Sequence, residues 1–99
     1  MRKGTTPKLT FTIPFDTSRI QCFRVVFAYR NEPILTKDEK SCSCSGNKIT
    51  VPLTQEETFL FGCDSIHQVQ MRVKLSDGSV INSEIIHISV DRCLDKEVL

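Results

Sequence analysis

Apolar and polar residues alternate without a break through Val69, Met71, Val73 and Leu75, with Gln68, Gln70, Arg72 and Lys74 between them. A period of two belongs to a strand that sets one face on a core and the other in water. Ser76-Asp77-Gly78-Ser79 then supplies turn chemistry. Val80 to Val90 runs back, so Ile66 to Val90 reads as one long β-hairpin. Its register follows from which side chains must stay wet. A two-residue turn at Asp77-Gly78 would set Asn82 and Glu84 among Val73, Met71 and Val69 on the buried face. A three-residue loop, Ser76-Asp77-Gly78 with a bulge at Gly78, moves the pairing by one residue and turns every side chain of the return strand over. Burying an unpaired Glu costs several kcal/mol, more than turn types differ among themselves, so the three-residue loop is predicted. Val73 then faces Ile81, Met71 faces Ser83 and Val69 faces Ile85. On the other side Arg72, Gln70 and Gln68 face Asn82, Glu84 and Ile86, and His67 lies directly across from His87.

The same alternation recurs upstream. Leu9, Phe11, Ile13 and Phe15 predict a first strand, with Pro14 suited to an edge or a strand end. Asp16-Thr17-Ser18 turns the chain into a second strand, Arg19 to Tyr29, which carries Phe23, Val25, Phe27 and Tyr29 on one face. Asn31-Glu32-Pro33 predicts a turn, followed by a short strand, Ile34 to Thr36. Residues 37 to 48 are polar and hold at most a weak strand around Cys42 to Cys44, closed by Gly46-Asn47. Ile49, Val51 and Leu53 alternate again. Thr54-Gln55-Glu56-Glu57 carries a capping box, in which Thr54 accepts from the Glu57 N–H and the Glu57 carboxylate returns the bond. About two helical turns are predicted from 54 to 61, with Phe59 and Phe61 plugging the end of the core and Gly62 stopping the helix.

Six or seven short strands, one helical turn and no βαβ rhythm predict an all-β fold. Strands that each bury one face require two sheets covering each other, so the expected fold is an immunoglobulin-like β-sandwich, with a small partly open barrel as the alternative. The domain spans 8–90, between a flexible N-terminal arm, 1–7, and a C-terminal tail, 91–99.

Composition narrows the function. The 99 residues make one domain, and a net charge of +1 gives no general field for nucleic acid or an acidic membrane. No apolar run approaches the ~20 residues of a membrane helix. The first residues are basic but lead into no hydrophobic segment, so no signal peptide is read there. Five cysteines, Cys22, Cys42, Cys44, Cys63 and Cys93, are an odd number in a chain without an export signal, which argues against a disulfide framework. Cys42-Ser-Cys44 has one intervening residue where metal sites use two or more. Cys63 and Cys93 could complete a four-thiolate site, but small half-buried thiols and an oxidisable loop pair account for all five. His67 and His87 could form half of a metal site or a pH-sensitive pair, though no carboxylates accompany them, and Cys63 with His67 lacks a third group to orient a nucleophile. Glu56 and Glu57 point apart on a helix. No phosphate loop, metal-spaced carboxylates or basic-aromatic interleaving occurs. The chain reads as a non-enzyme without a cofactor.

The remaining feature is apolar. Ile66, Ile86, Ile88 and Val90, with Val26, gather on the hairpin face expected to meet water, and they form a candidate interface. Free sheet edges could serve the same end by β-augmentation.

Gly4-Thr5-Thr6-Pro7, Phe11-Thr12-Ile13-Pro14-Phe15-Asp16, Leu53-Thr54-Gln55-Glu56-Glu57-Thr58 and Cys93-Leu94-Asp95 together resemble a family of small proteins encoded in phage and prophage structural gene modules. The loop Ser41 to Ser45 lies outside that pattern. The resemblance implies a virion or assembly protein, a subunit of a head, neck or tail. Its partners would be further copies of itself or another virion protein, with no direct nucleic-acid or membrane contact. It would reside in the host cytoplasm during assembly and then in the virion. A phage-encoded inhibitor of a host defence protein is the alternative. A thiol-based metal-binding regulator is a third reading.

Overall fold

The computed structural model describes residues 1–62, 65–95 and 97–99. Alternation along β6 (Ser65–Leu75) decides the layout: its odd-numbered residues from His67 to Leu75 are buried, and the residues between them are exposed or half-buried. β6 pairs antiparallel with β2 (Ile20–Tyr29) on one side and with both β7 (Val80–Asn82) and β8 (Ile86–Val90) on the other. β3 (Glu32–Asp38) completes this five-stranded sheet beyond β2. A three-stranded sheet in the order β1 (Lys8–Thr12), β5 (Lys48–Pro52), β4 (Ser43–Ser45) covers it. The fold is the immunoglobulin-like all-β sandwich that the alternation requires. Ile49, Val51 and Leu53 from the smaller layer meet Phe23, Val25, Phe27, Val69, Met71 and Val73 from the larger one in a single apolar cluster.

The turns follow local chemistry. Gly78 has φ 93° and donates its N–H to the Leu75 carbonyl, while the Leu75 N–H reaches the Ser79 carbonyl at 2.8 Å. This is the three-residue loop, and it sets Val73 across from Ile81 and Arg72 across from Asn82 as expected. The turn after β2 differs from expectation. It is Arg30-Asn31, with φ 50° and 68°, and it leaves Glu32 and Pro33 inside β3. Two-residue hairpins favour such left-handed pairs because their twist matches the strands. Gln68 holds Asn31 there through two hydrogen bonds, 2.8 and 2.9 Å. Pro33 is tolerated because β3 is an edge strand.

The capping box forms as read: the Glu57 N–H donates to Thr54 Oγ1 and the Thr54 N–H donates to Glu57 Oε1. The helix α1, Gln55–Thr58, is shorter than predicted, and its last bonds run on through Leu60 and Phe61. Phe61 is buried and packs 5.5 Å from Phe27. Gly62 does not stop the helix in a left-handed conformation. A Cβ there would meet Ser65 Oγ at 3.2 Å and the His67 ring at 3.6 Å, so the residue serves close approach. Residues 1 to 4, read from sequence as part of an arm, run beside the end of β8: Arg2 bridges Asp91, and the Gly4 N–H donates to Thr58 Oγ1.

Glu57 also accepts the Lys37 ammonium at 2.8 Å on both oxygens, tying α1 to β3. Burial raises the carboxyl pKa, but the Lys37 bond and charge and the Thr54 cap outweigh it and hold Glu57 below the usual range. The pair therefore contributes stability above the ordinary carboxylate pKa, and that contribution fades as pH falls through the lowered one. Glu57→Ala removes the carboxylate half of the capping box and the Lys37 pair together, leaving the Thr54 hydroxyl on the residue-57 N–H. It is expected to lower unfolding free energy by about 1–2 kcal/mol, read from urea melts at neutral pH, and to lose less at pH 3.

Candidate interaction surface

The candidate interface residues do not form one patch. Between Asn82 and Ile86 the return strand has three residues, Ser83, Glu84 and Ile85. β6 has two opposite them, Met71 and Gln70. That extra residue is a bulge. Ser83 fills it: its N–H donates to the Met71 carbonyl at 2.8 Å, its hydroxyl accepts the Met71 N–H at 2.9 Å, and its carbonyl accepts from Gln70 Nε2 at 3.1 Å. Beyond the bulge every side chain has changed face. Val69 pairs with Ile86, Gln68 with His87 and His67 with Ile88, instead of Ile85, Ile86 and His87. Val90 is 1% exposed and belongs to the core, and Ile88 packs against it half-buried. Ile66 stays on the outer face, 63% exposed, and Ile86 sits on the inner face, 44% exposed. Turning Ile88 and Val90 inward in place of His87 and Ser89 gains roughly 2 kcal/mol per buried aliphatic side chain, enough to fix the bulge.

The bulge separates the two histidines. His87 is exposed on the outer face. His67 is fully buried, with Phe61 and Tyr29 rings at 5.1 and 4.9 Å. Its Nε2 accepts the Gly62 N–H at 2.9 Å, so the ring is neutral with its proton on Nδ1, which has no hydrogen bond of ordinary geometry. Burial pushes its pKa below 6.5, the Ser65 backbone opposes this in part, and the charge of Lys3 adds to it. The expected pair is therefore no site.

The thiols do not converge either. Cys22, Cys42, Cys44 and Cys93 are free, and Cys63 lies outside the described residues. Burial pushes the thiols of Cys42 and Cys44 up, away from the thiolate that a metal or a nucleophilic reaction needs. Among the described residues no three His, Cys, Asp or Glu side chains gather as metal ligands.

The structure instead shows a groove that the sequence does not announce. The smaller sheet stops short of the β7–β8 edge of the larger one, and the open side between β1 and the bulge is a cleft of about 360 Å³. Phe11 of β1 and Ile13 just after it line one side, and Val69, Met71, Ser83 and Ile86 line it from the other layer. β1 pairs with β5 alone, so its other edge is unpaired. Ile81, facing the same way as Ile86, is also exposed. An unpaired edge beside an apolar cleft is the geometry of strand addition: main-chain bonds hold an incoming strand, and the cleft takes its alternate side chains. The signal in the sequence is the doublet Ile85-Ile86, where apolar parity changes.

No protein-family model and no curated protein sequence matches the chain. Among solved structures it is similar to CopC from Methylosinus trichosporium OB3b. The TM-score is 0.56 and the identity 10%, over 95% of this chain and 85% of that one. At that identity the likeness shows a shared fold.

A neutral core histidine makes stability pH-dependent with a definite sign. The unfolded chain takes up a proton near 6.5 that the folded chain resists, so stability is full above that pH and is lost below it. His67→Gln keeps an acceptor for Gly62 without the titration. Urea midpoints measured between pH 7.5 and 5 should fall more steeply for the native protein than for the variant.

Proposed function

We propose that this protein is a non-catalytic assembly subunit that joins a second copy of itself through the open side of its sandwich. The observation that carries this reading is the apolar cleft of about 360 Å³ beside the unpaired β1 edge. Each copy holds all the parts of the joint: a free edge strand, an apolar cleft, and exposed Ile81 and Ile86 on the facing edge. A two-fold contact between identical edges satisfies both copies at once. Exposed edges of this kind are otherwise an aggregation liability, and a dedicated contact gives this one a use.

The setting follows from the resemblance of the strand and corner motifs to proteins of phage structural gene modules. The protein is then a head, neck or tail component, present in the host cytoplasm during assembly and in the particle afterwards. Among the described residues no helix is long and apolar enough to cross a membrane, and the net charge of +1 gives no general attraction to nucleic acid. Both facts favour a protein as the partner.

Ile66, Ile88 and Val90 are poor probes of this contact, since the first is on the outer face and the other two support the core. Ile86→Asp places a charge in the cleft at a position that is 44% exposed, and a urea melt of the variant should still show one cooperative transition. Size-exclusion chromatography with light scattering across a wide concentration range should give a dimer or larger species for the native chain and a monomer for the variant. A native chain that stays monomeric throughout contradicts the reading.

A further inference from the structure

The outer face of the larger sheet, away from the cleft, carries a different feature. Pairing of β2 with β6 sets Arg24 directly across from Arg72. Like charges so placed repel. Asp38 lies on the far side of Arg24 and Asn82 on the far side of Arg72. Carboxylates are therefore close at hand, and each accepts a backbone N–H. Asp38 Oδ1 accepts the Lys40 N–H at 3.0 Å, and Glu39 Oε2 accepts the Phe23 N–H at 3.4 Å. Arg72 Nε donates to the neutral amide of Asn82 at 3.1 Å. The Arg24 side chain has no hydrogen bond or ion pair among the described residues; the ion pair found there joins Lys37 to Glu57. Arg24 and Arg72 line a depression of about 280 Å³, together with Lys74, Lys40, Asp38 and Glu39.

We propose that this depression is a binding site for a phosphate-type oxyanion, held between Arg24 and Arg72. A planar guanidinium presents paired N–H donors that match two oxygens of such an anion, and two of them side by side on one sheet face can donate to the same anion. The bound charge removes the repulsion that the cross-strand pair otherwise carries. Lys74, next along the same face of β6, adds a third cation. Asp38 and Glu39 line the same depression and offset part of its positive charge, so the excess is local and small and the site suits a single compact anion more than a long polyanion. The volume exceeds the roughly 30 Å³ of a water molecule many times over, so an oxyanion fits with part of its hydration. This site is separate from the β1 cleft and does not depend on its role.

The test is a titration of the full chain with inorganic phosphate, followed by amide NMR shifts, with sodium chloride at matched ionic strength as the control. Saturable shifts in the millimolar range, centred on Arg24, Arg72 and Lys74 and absent with chloride, are expected. Arg24→Gln and Arg72→Gln should each weaken binding about tenfold or more. Both side chains are exposed, and removing one relieves repulsion, so in chloride the thermal midpoint should hold or rise. Arg24→Lys keeps the charge without the fork and should bind several-fold more weakly than the native chain, even if a Gln variant folds poorly. Shifts that chloride reproduces, or that persist undiminished in the arginine variants, overturn the proposal.

Discussion

Everything in this molecule depends on the parity of β6. The strand is paired on both sides, so its choice of which residues face inward is imposed on β2 and on the return strand, and through them on the smaller sheet that must cover the apolar face. Slipping either pairing by one residue would exchange buried Val69, Met71 and Val73 for Gln70 and Arg72 on the partner's frame, a change no turn preference could offset. On the return strand the loop at Gly78 and the bulge at Ser83 are the devices that meet this parity, and on β2 a bulge between Ile20 and Cys22 does so. The loop sets the phase of the return strand and the Ser83 bulge resets it.

Most of the architecture was legible from alternation and turn chemistry, because those signals are local. The three-residue loop, the capping box at Thr54 and the aromatic plug at Phe61 all rest on residues a few positions apart. The bulge was harder to read. Ile86, Ile88 and Val90 alternate as a buried set should, but an unbroken register carried them to the outer face, where they resembled an interface. Their own alternation, opposed in phase to Ile81, was the sign that a residue had been inserted. His67 and His87 fell into the same error, since one residue of slip puts one ring in the core and the other in water. The turn expected at Asn31-Glu32-Pro33 forms at Arg30-Asn31 instead, because an edge strand accommodates Pro33 without difficulty.

The cleft is a consequence of layer size, which sequence periodicity does not encode. Three strands cannot cover five. The uncovered strip falls beside β1 on one layer and beside the bulge on the other, and it keeps Ile86 partly in solvent although it shares a face with the core. Ser83 meanwhile ties up main-chain groups at the bulge, so the β7–β8 edge is interrupted while β1 remains an uninterrupted free edge. The arginine pair on the opposite face has the same origin. It arises where two strands, each polar on that side, are brought into register by what they bury on the other.

Cross-strand proton contacts in a NOESY spectrum test this account most directly. A bulge at Ser83 to Ile85 predicts that Val73 meets Ile81 near the loop, while Val69 meets Ile86 and His67 meets Ile88 beyond it. Contacts of Val69 with Ile85 and of His67 with His87 would mean one unbroken register. Ile88 and Val90 would then face out, and Ile85 in place of Ile86 would border the cleft beside β1.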